Sequence, residues 1–167
     1  MTDFEELQKI KSRLKSEESD ERLWAVYDLE NFPPEEIVDL LVTAMQDDHR
    51  AVREAASEVL GSVPPELSTA KLVPLLGSTR IKVRNITAAL LTRYGDAAVK
   101  ELISALEDGN EDVRKFAADI LGLNGSELSV EGLCKAAWDD PVENVSVSAI
   151  EACLLYTSPS PRDRTRS

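Results

Sequence analysis

The stretch Asp112-Val-Arg-Lys-Phe-Ala-Ala-Asp-Ile-Leu-Gly122 carries the pattern that decides the fold. It contains an arginine, a small residue three positions later and an apolar residue seven positions later. The same pattern recurs with a period of about 31 residues, which is typical of helical repeat proteins. The arginine slot holds Arg22, Arg53, Arg84, Arg114 and Ser146; the small slot holds Ala25, Ala56, Thr87, Ala117 and Ala149; the apolar slot holds Leu29, Leu60, Leu91, Leu121 and Cys153.

A second apolar segment precedes each of these stretches. Eight positions before the arginine slot stand Leu14, Met45, Leu76, Leu106 and Trp138, and twelve before it stand Ile10, Leu41, Leu72, Leu102 and Cys134. Each repeat is therefore predicted to contain two helices, a helix A followed by a helix B, and such units bury their apolar faces on one another. We predict an all-α, right-handed α-solenoid of about five helix-turn-helix repeats over residues 1–152.

Proline and glycine residues predict where helices begin, end or kink. Pro33-Pro34 and Pro64-Pro65 are predicted to open repeats two and three, because proline is well tolerated at the first helical position. Gly61 is predicted to end its helix as a left-handed glycine. Pro74 lies inside a helix A and is predicted to kink or shorten it.

Composition limits the classes of function. The chain has 167 residues and a formal net charge of −12, which disfavours nucleic acid because affinity for a phosphate backbone comes mainly from clustered basic residues. A charge-driven protein partner would carry a basic surface. The beginning of the sequence lacks the pattern of a signal peptide, no apolar run is long enough for a membrane span, and the two cysteines have no disulfide or metal spacing. We expect a cytoplasmic protein.

The run Val52-Arg53-Glu-Ala-Ala-Ser-Glu-Val-Leu60-Gly61 and its counterparts resemble HEAT repeats, in the short form first associated with phycobilin lyases. The resemblance implies a non-enzymatic scaffold or adaptor for protein–protein interaction. Two alternatives stay open: a bilin lyase subunit or chaperone-like adaptor, and a HEAT-type DNA glycosylase, which the acidic composition disfavours. The resemblance also implies a ladder between the slot arginines and turn aspartates. Asp47, Asp108 and Asp140 match the turn position, whereas Ser16 and Ser78 replace it, so we expect an incomplete ladder.

No residue set indicates catalysis, a metal site or a cofactor. His49 is the sole histidine, so the paired His-Glu motifs of the HEAT-type deoxyhypusine hydroxylases are missing. Neighbouring acids on a helix point about 100° apart and do not converge on one substrate atom. Cys134 occupies a column of buried apolar residues and is expected to be a small buried hydrophobe. We expect the slot arginines to pair with acids of neighbouring repeats rather than to bind phosphate.

A partner is predicted to bind the inner surface formed by the B helices. This surface is taken to include the positions one, four, five and eight residues beyond each arginine slot. The candidate residues are Leu23, Val26, Tyr27, Glu54, Glu58, Asn85, Lys115 and Asp119. In the alternative interpretation, Leu23, Val26 and Tyr27 only cap the first repeat.

The end of the sequence has a different character. The run Cys153-Leu-Leu-Tyr-Thr-Ser-Pro-Ser-Pro-Arg-Asp163 resembles one reading frame of a transposase adapter used in sequencing libraries. We therefore expect residues 153–167 to be non-native, with the solenoid truncated within repeat five. Trp138, Val145, Val147 and Ile150 would then be open to solvent, and would favour self-association.

Overall fold

The computed structural model describes residues 3–157, which contain helices and no strand. Three short 3-10 helices, Leu29–Asn31, Val73–Gly77 and Glu127–Ser129, accompany the α-helices. The α-helices are α1 (Asp3–Arg13), α2 (Ser19–Asp28), α3 (Pro34–Ala44), α4 (Arg50–Leu60), α5 (Pro65–Leu72), α6 (Ile81–Tyr94), α7 (Asp96–Ala105), α8 (Glu111–Asn124), α9 (Val130–Asp139) and α10 (Glu143–Thr157). They form five consecutive A–B pairs, so the predicted all-α helical repeat solenoid is confirmed.

The chain divides into two compact units, residues 1–94 and residues 95–167. In unit 1, helix α4 packs between α2 and α6, and α3 packs on α5. B helices thus stack on B helices, and A helices stack on A helices. In unit 2, α10 packs against both α8 and α9, and α7 packs on α8.

The periodic columns form the core of each unit. Leu29, Leu60 and Leu91 in unit 1 and Leu121 in unit 2 are fully buried, as the seven-residue spacing from the arginine slot predicts. All members of the small column are also fully buried: Ala25, Ala56, Thr87, Ala117 and Ala149. Small side chains here allow adjacent helices to approach closely, so the column sets how tightly the repeats stack.

Repeat five departs from the predicted register. Cys134 is exposed and Trp138 is 87% exposed, whereas Leu133 is fully buried, so the expectation of a buried Cys134 is wrong. The cause lies in the end of helix A. In α3 the last turn tightens, with Gln46 N–H donating to the Thr43 carbonyl and Asp47 N–H to the Ala44 carbonyl.

The corresponding end of α9 keeps the ordinary α-helical spacing, because Asp140 N–H donates to the Ala136 carbonyl. A 3-10 turn takes three residues and an α turn takes 3.6. One more residue therefore separates the buried leucine from the turn aspartate in repeat five than in repeat two. That extra residue moves the buried position from Cys134 to Leu133.

Proline acts as predicted and one glycine does not. The α-helix α5 ends at Leu72 and continues as the 3-10 helix that contains Pro74, which confirms the predicted shortening. Gly61 has φ −65°, so it is not a left-handed cap. It lies against the guanidinium of Arg93, where an added Cβ would collide with that group. Gly125 does end a B helix in the left-handed conformation, with φ 66°, three residues after Gly122 of α8.

A side-chain oxygen closes every turn between helix A and helix B. In each turn this oxygen accepts the backbone N–H of the residue two positions later. The pairs are Ser16 with Glu18 (3.2 Å), Asp47 with His49 (2.7 Å), Ser78 with Arg80 (3.2 Å), Asp108 with Asn110 (2.8 Å) and Asp140 with Val142 (2.9 Å). Serine and aspartate both fulfil this role, since each offers an acceptor at short reach.

The residue in the arginine slot also binds the turn of its own repeat. In all five repeats its side chain donates to the main-chain carbonyl six residues upstream. The bonds are Arg22 to Ser16 (2.9 Å), Arg53 to Asp47 (2.7 Å), Arg84 to Ser78 (2.9 Å), Arg114 to Asp108 (2.9 Å) and Ser146 to Asp140 (3.2 Å). The slot therefore satisfies a carbonyl that follows the end of helix A, where the helix itself provides no donor.

The ladder between repeats is incomplete within the two units, as predicted. Arg22 binds Asp47 through two hydrogen bonds of 2.7 and 2.9 Å, and Arg114 binds Asp140 through two of 2.7 and 3.1 Å. Two parallel bonds of this kind are the strong form of an ion pair. Ser78 offers no carboxylate to Arg53, so this step of the ladder has no ion pair.

An apolar stripe on α10 is open. Ile150 is 47% exposed, and Val147, Leu154 and Leu155 are exposed with it. This confirms the expected exposure of Trp138, Val147 and Ile150, but Val145 is fully buried inside unit 2. Self-association through the stripe stays a prediction, which light scattering over a concentration series would test.

Replacing Leu60 or Leu121 by alanine should destabilise the fold by about 2–5 kcal/mol, because each removes a fully buried leucine from a packed stack. Denaturant unfolding measures this loss, and Leu128→Ala, at a side chain that is 78% exposed, is the matched control. Because a repeat contacts only its neighbours, hydrogen exchange should rise first in the mutated repeat. A uniform rise along the chain would contradict this.

Acid should weaken the ladder. The Arg114 hydrogen bonds hold the pKa of the Asp140 carboxyl below its ordinary value. Burial raises the pKa of Asp47, but the bonds from Arg22 and from the His49 backbone outweigh it and lower that pKa as well. Carboxyls with a lowered folded pKa contribute stability above the unfolded pKa of about 3.9, and this stability is lost as the pH falls through the folded pKa.

The free energy of unfolding, measured by denaturant between about pH 7 and pH 2, should therefore fall in the acid range. Asp140→Asn should lower stability at neutral pH and flatten the acid dependence. The exposed neighbour Asp139 provides the control variant Asp139→Asn, which should change neither quantity. An unchanged acid profile in Asp140→Asn would show that the ladder does not govern acid stability.

Candidate functional site

The predicted partner surface is formed in unit 1 by the B helices α2, α4 and α6. Glu54, Glu58 and Asn85 are exposed there, and Leu23 and Tyr27 are half-buried. Val26 corrects the expectation, because its side chain is fully buried where α2 packs on α4. The position four residues beyond the slot faces the following repeat, so Val26 serves packing and is unavailable to a partner.

An aromatic pair borders this surface on α2. The Tyr27 hydroxyl of repeat one donates to Glu58 Oε2 of repeat two at 3.4 Å. Burial of the hydroxyl raises the pKa of Tyr27, and the nearby charge of Glu58 raises it further. The Trp24 side chain is 62% exposed, and its ring centroid lies 6.3 Å from that of Tyr27. Trp24 is not among the predicted surface residues, because it stands two residues beyond the arginine slot, outside the positions that define the predicted surface. Its spacing of three residues from Tyr27 on a helix was the available signal.

A cationic depression lies between the first turns of α4 and α6. Its volume is about 440 Å³, and it is lined by Arg50, Arg53, Glu54, Lys82, Asn85 and Ile86. Glu54 is engaged by Arg50, whose Nε donates to its carboxylate at 2.7 Å. Three cations and one carboxylate thus surround the depression, in a chain whose net charge is −12. Two predicted residues, Glu54 and Asn85, are brought together here.

The remaining predicted residues belong to unit 2 and pair with each other. Lys115 Nζ donates to Asp119 at 2.8 Å along α8, and both side chains are about one third exposed. The Lys115 ammonium also lies 5.5 Å from the ring centroid of Phe116. These contacts hold Lys115 and Asp119 in defined positions on the helix.

A second cavity, of about 340 Å³, lies between α7 and α9 in unit 2. Its apolar wall includes Ile103, Leu106 and Ala136, and Gly132 of α9 faces Leu106. The Glu107–Lys135 and Arg114–Asp140 ion pairs border it. No sequence motif indicates this cavity, because it results from the spacing of two helices.

Residues with potential chemistry are dispersed. Within residues 3–157 there is no group of three or more His, Cys, Asp or Glu side chains that could hold a metal ion. Cys134 Sγ lies 3.8 Å from Cys153 Sγ. Burial raises the pKa of the Cys153 thiol, and the contact with Cys134 raises it further. A raised thiol pKa lowers the thiolate fraction that nucleophilic chemistry requires. Among the helices that the structure describes, none is long and apolar enough to cross a membrane.

Comparison with known proteins gives a family. The family model described as HEAT repeats matches residues 7–90 and 69–153. No curated protein matches the chain significantly.

Two solved structures match over most of the chain, both crystal structures of engineered proteins from the Northeast Structural Genomics Consortium. The first is 23% identical with a TM-score of 0.44, and the match covers 92% of this chain and 80% of that protein. The second is 23% identical with a TM-score of 0.42, and covers 91% of this chain and 48% of that protein. Neither likeness is close enough to carry an argument about function.

Proposed function

Because the chain belongs to the HEAT repeat family, we propose that it is a non-enzymatic scaffold or adaptor that binds another protein. The proposed docking surface of each unit is formed by exposed and half-buried side chains on its own B helices. In unit 1 they are Leu23, Tyr27, Glu54, Glu58 and Asn85, and in unit 2 they are Lys115 and Asp119. The observation that carries the proposal is the contact of Tyr27 with Glu58, which places an aromatic ring beside an acid on two successive repeats.

The rigid placement of these side chains on helices supports the proposed docking role. Each of these side chains stands on a helix whose opposite face carries a fully buried residue of the apolar column. A partner that docks on rigid elements orders fewer groups on binding, so less of the interaction is offset by lost conformational entropy. Helix α6 adds the small, exposed residue Ala89, which permits close approach of a partner.

Aromatic anchoring supports it as well. Trp24 and Tyr27 are adjacent, and each keeps part of its ring accessible. Tryptophan and tyrosine are enriched among the residues that dominate binding energy at interfaces, because they bury much area at a small cost in side-chain entropy. A partner that covers this pair would gain an apolar contact bordered by Glu58.

Charge indicates the class of partner. The chain carries 31 acidic and 19 basic residues. Glu54 and Glu58 are exposed on α4, and Glu30 is exposed in the 3-10 helix that follows α2. We propose a partner with a basic surface, since complementary charge accelerates association and excludes acidic competitors. Weakening of the complex by added salt is the expected signature.

The experiment uses the chain as bait against a cell extract and compares matched baits quantitatively. A test bait carries Tyr27→Phe, Glu58→Gln and Asp119→Asn, which retain size and remove the hydroxyl or the charge. A control bait carries Tyr94→Phe, Glu66→Gln and Asp139→Asn, which make the same chemical changes outside the proposed surface. A true partner should be lost from the test bait and retained by the control bait.

The melting temperature separates binding from stability. The Tyr94 hydroxyl donates to the Leu60 carbonyl at 2.9 Å and contacts the Ser68 hydroxyl at 2.9 Å, so the control bait should melt at a lower temperature. The test bait should melt close to the unmodified chain. Equal capture by the two baits, or loss of capture that follows the melting temperature, would refute the proposed surface.

A further inference from the structure

We infer that unit 1 contains a carboxylate-binding site at Arg53, at the step where the ladder lacks its aspartate. This inference does not depend on the proposed scaffold function. It starts from three equivalent arginines. Arg22 and Arg114 each face an aspartate of the next repeat, whereas the residue at that place relative to Arg53 is Ser78.

The state of Arg53 differs from that of the paired arginines. Its residue is 4% exposed, and its Nη1 donates to the carbonyls of Asp47 and Asp48 at 2.7 and 2.8 Å. Among residues 3–157, no group accepts a hydrogen bond from its Nε or Nη2, the two atoms that bind the carboxylate at Arg22 and Arg114. A buried guanidinium is stabilised when an anion pairs with its charge, and Arg53 has no such anion among the described residues.

The nearby acids do not pair with Arg53, because other cations bind them. Asp48 pairs with Arg80 at 2.7 Å, and Glu54 pairs with Arg50 at 2.7 Å. Both carboxylates are exposed, and their partners lie at the surface. The buried charge of Arg53 is therefore balanced only by the two carbonyls that its Nη1 contacts.

The cationic depression provides access to Arg53. Arg53 lines it together with Arg50, Lys82 and Asn85, and its volume of about 440 Å³ accommodates a small anion with its attached chain. No acidic partner of Lys82 is found in the part of the chain that the structure describes. Asn85 is exposed and adds an amide donor on the same side. The site thus combines one buried guanidinium with an ammonium and an amide around a single opening.

The geometry favours a carboxylate over a phosphate. Wherever the ladder is complete in a unit, the slot arginine holds a planar carboxylate through Nε and Nη2. The fork of a guanidinium matches that plane bidentately. A phosphate dianion would in addition meet the repulsion of a chain with a net charge of −12. The carboxylate is supplied by a small organic acid or by an acidic side chain of a peptide.

The test begins with acetate and follows the Arg53 Nε–H resonance by NMR at constant ionic strength, with chloride as the reference anion. Acetate should shift this resonance along a saturable curve in the millimolar range, whereas the Arg22 and Arg114 resonances should stay in place. A capped aspartyl peptide is titrated in parallel. Tighter binding of the peptide assigns the carboxylate to a protein side chain, and equal binding assigns it to a small organic acid.

Ser78→Asp is the decisive variant, because it supplies the missing carboxylate from within the chain. It should move the Arg53 resonance to the acetate-bound position, abolish the acetate response and raise the melting temperature. Ser16→Asp is the matched control, since it adds the same charge at the equivalent turn, where no arginine slot precedes it in the described chain. Ser78→Asn keeps the turn acceptor without the charge, and should retain acetate binding.

The titrations and the variants distinguish a carboxylate site at Arg53 from unspecific or phosphate binding. The inference is overturned if the acetate response is linear and unsaturated, if Ser78→Asp leaves it intact, or if Ser16→Asp abolishes it equally. Saturable binding of inorganic phosphate without a response to acetate would overturn the assignment to carboxylates. Because every variant keeps Arg53, the test does not depend on removing a buried side chain that the fold needs.

Discussion

The hydrogen bond from the slot residue to the turn carbonyl six residues upstream occurs in all five repeats, and it is the shared side-chain bond that joins helix B to the end of helix A. The end of helix A leaves carbonyl groups without helical donors, and the chain reverses there into helix B. One side chain from the first turn of helix B satisfies such a carbonyl and joins the two helices. Arg53 makes two such bonds, to Asp47 and Asp48, and even Ser146 makes one with its hydroxyl. The pairing of A with B therefore requires a donor in the slot, and a positive charge is needed only for the ladder.

This distinction explains why serine replaces aspartate at some turns without loss of the fold. Ser16 and Ser78 accept the same backbone N–H as Asp47 does, so the turn itself is preserved. What serine omits is the ion pair with the preceding repeat. In a solenoid the stability is approximately a sum over repeats and their interfaces, so one interface can lack the ladder ion pair while the apolar columns still hold the stack. Leu60 and Leu91 remain fully buried on either side of the step at Arg53.

The sequence predicted the architecture well, because the pattern that defines it is periodic and each copy supports the others. It predicted less well wherever one repeat differs by a single residue. A 3-10 turn at the end of α3 and an ordinary α turn at the end of α9 are not distinguishable by composition, yet they decide whether Leu133 or Cys134 is buried. Gly61 shows a related limit. Its sequence position favours a left-handed cap, but its φ is −65°, and it lies against the guanidinium of Arg93, which comes from a distant part of the chain.

The candidate site shows the same contrast. The spacing rule found the exposed positions Glu54, Glu58 and Asn85, since exposure on a helix follows its periodicity. The rule could not indicate that Val26 is covered by α4, because coverage depends on how closely two helices stack. Nor could it reveal a cationic depression in an acidic chain. Arg53 and Lys82 lack a carboxylate partner in the described structure because the nearby acids Glu54 and Asp48 pair with other cations. The sequence shows the overall charge, but only the structure shows which charges other groups already engage, and among the described residues of unit 1 the buried guanidinium of Arg53 has no carboxylate partner.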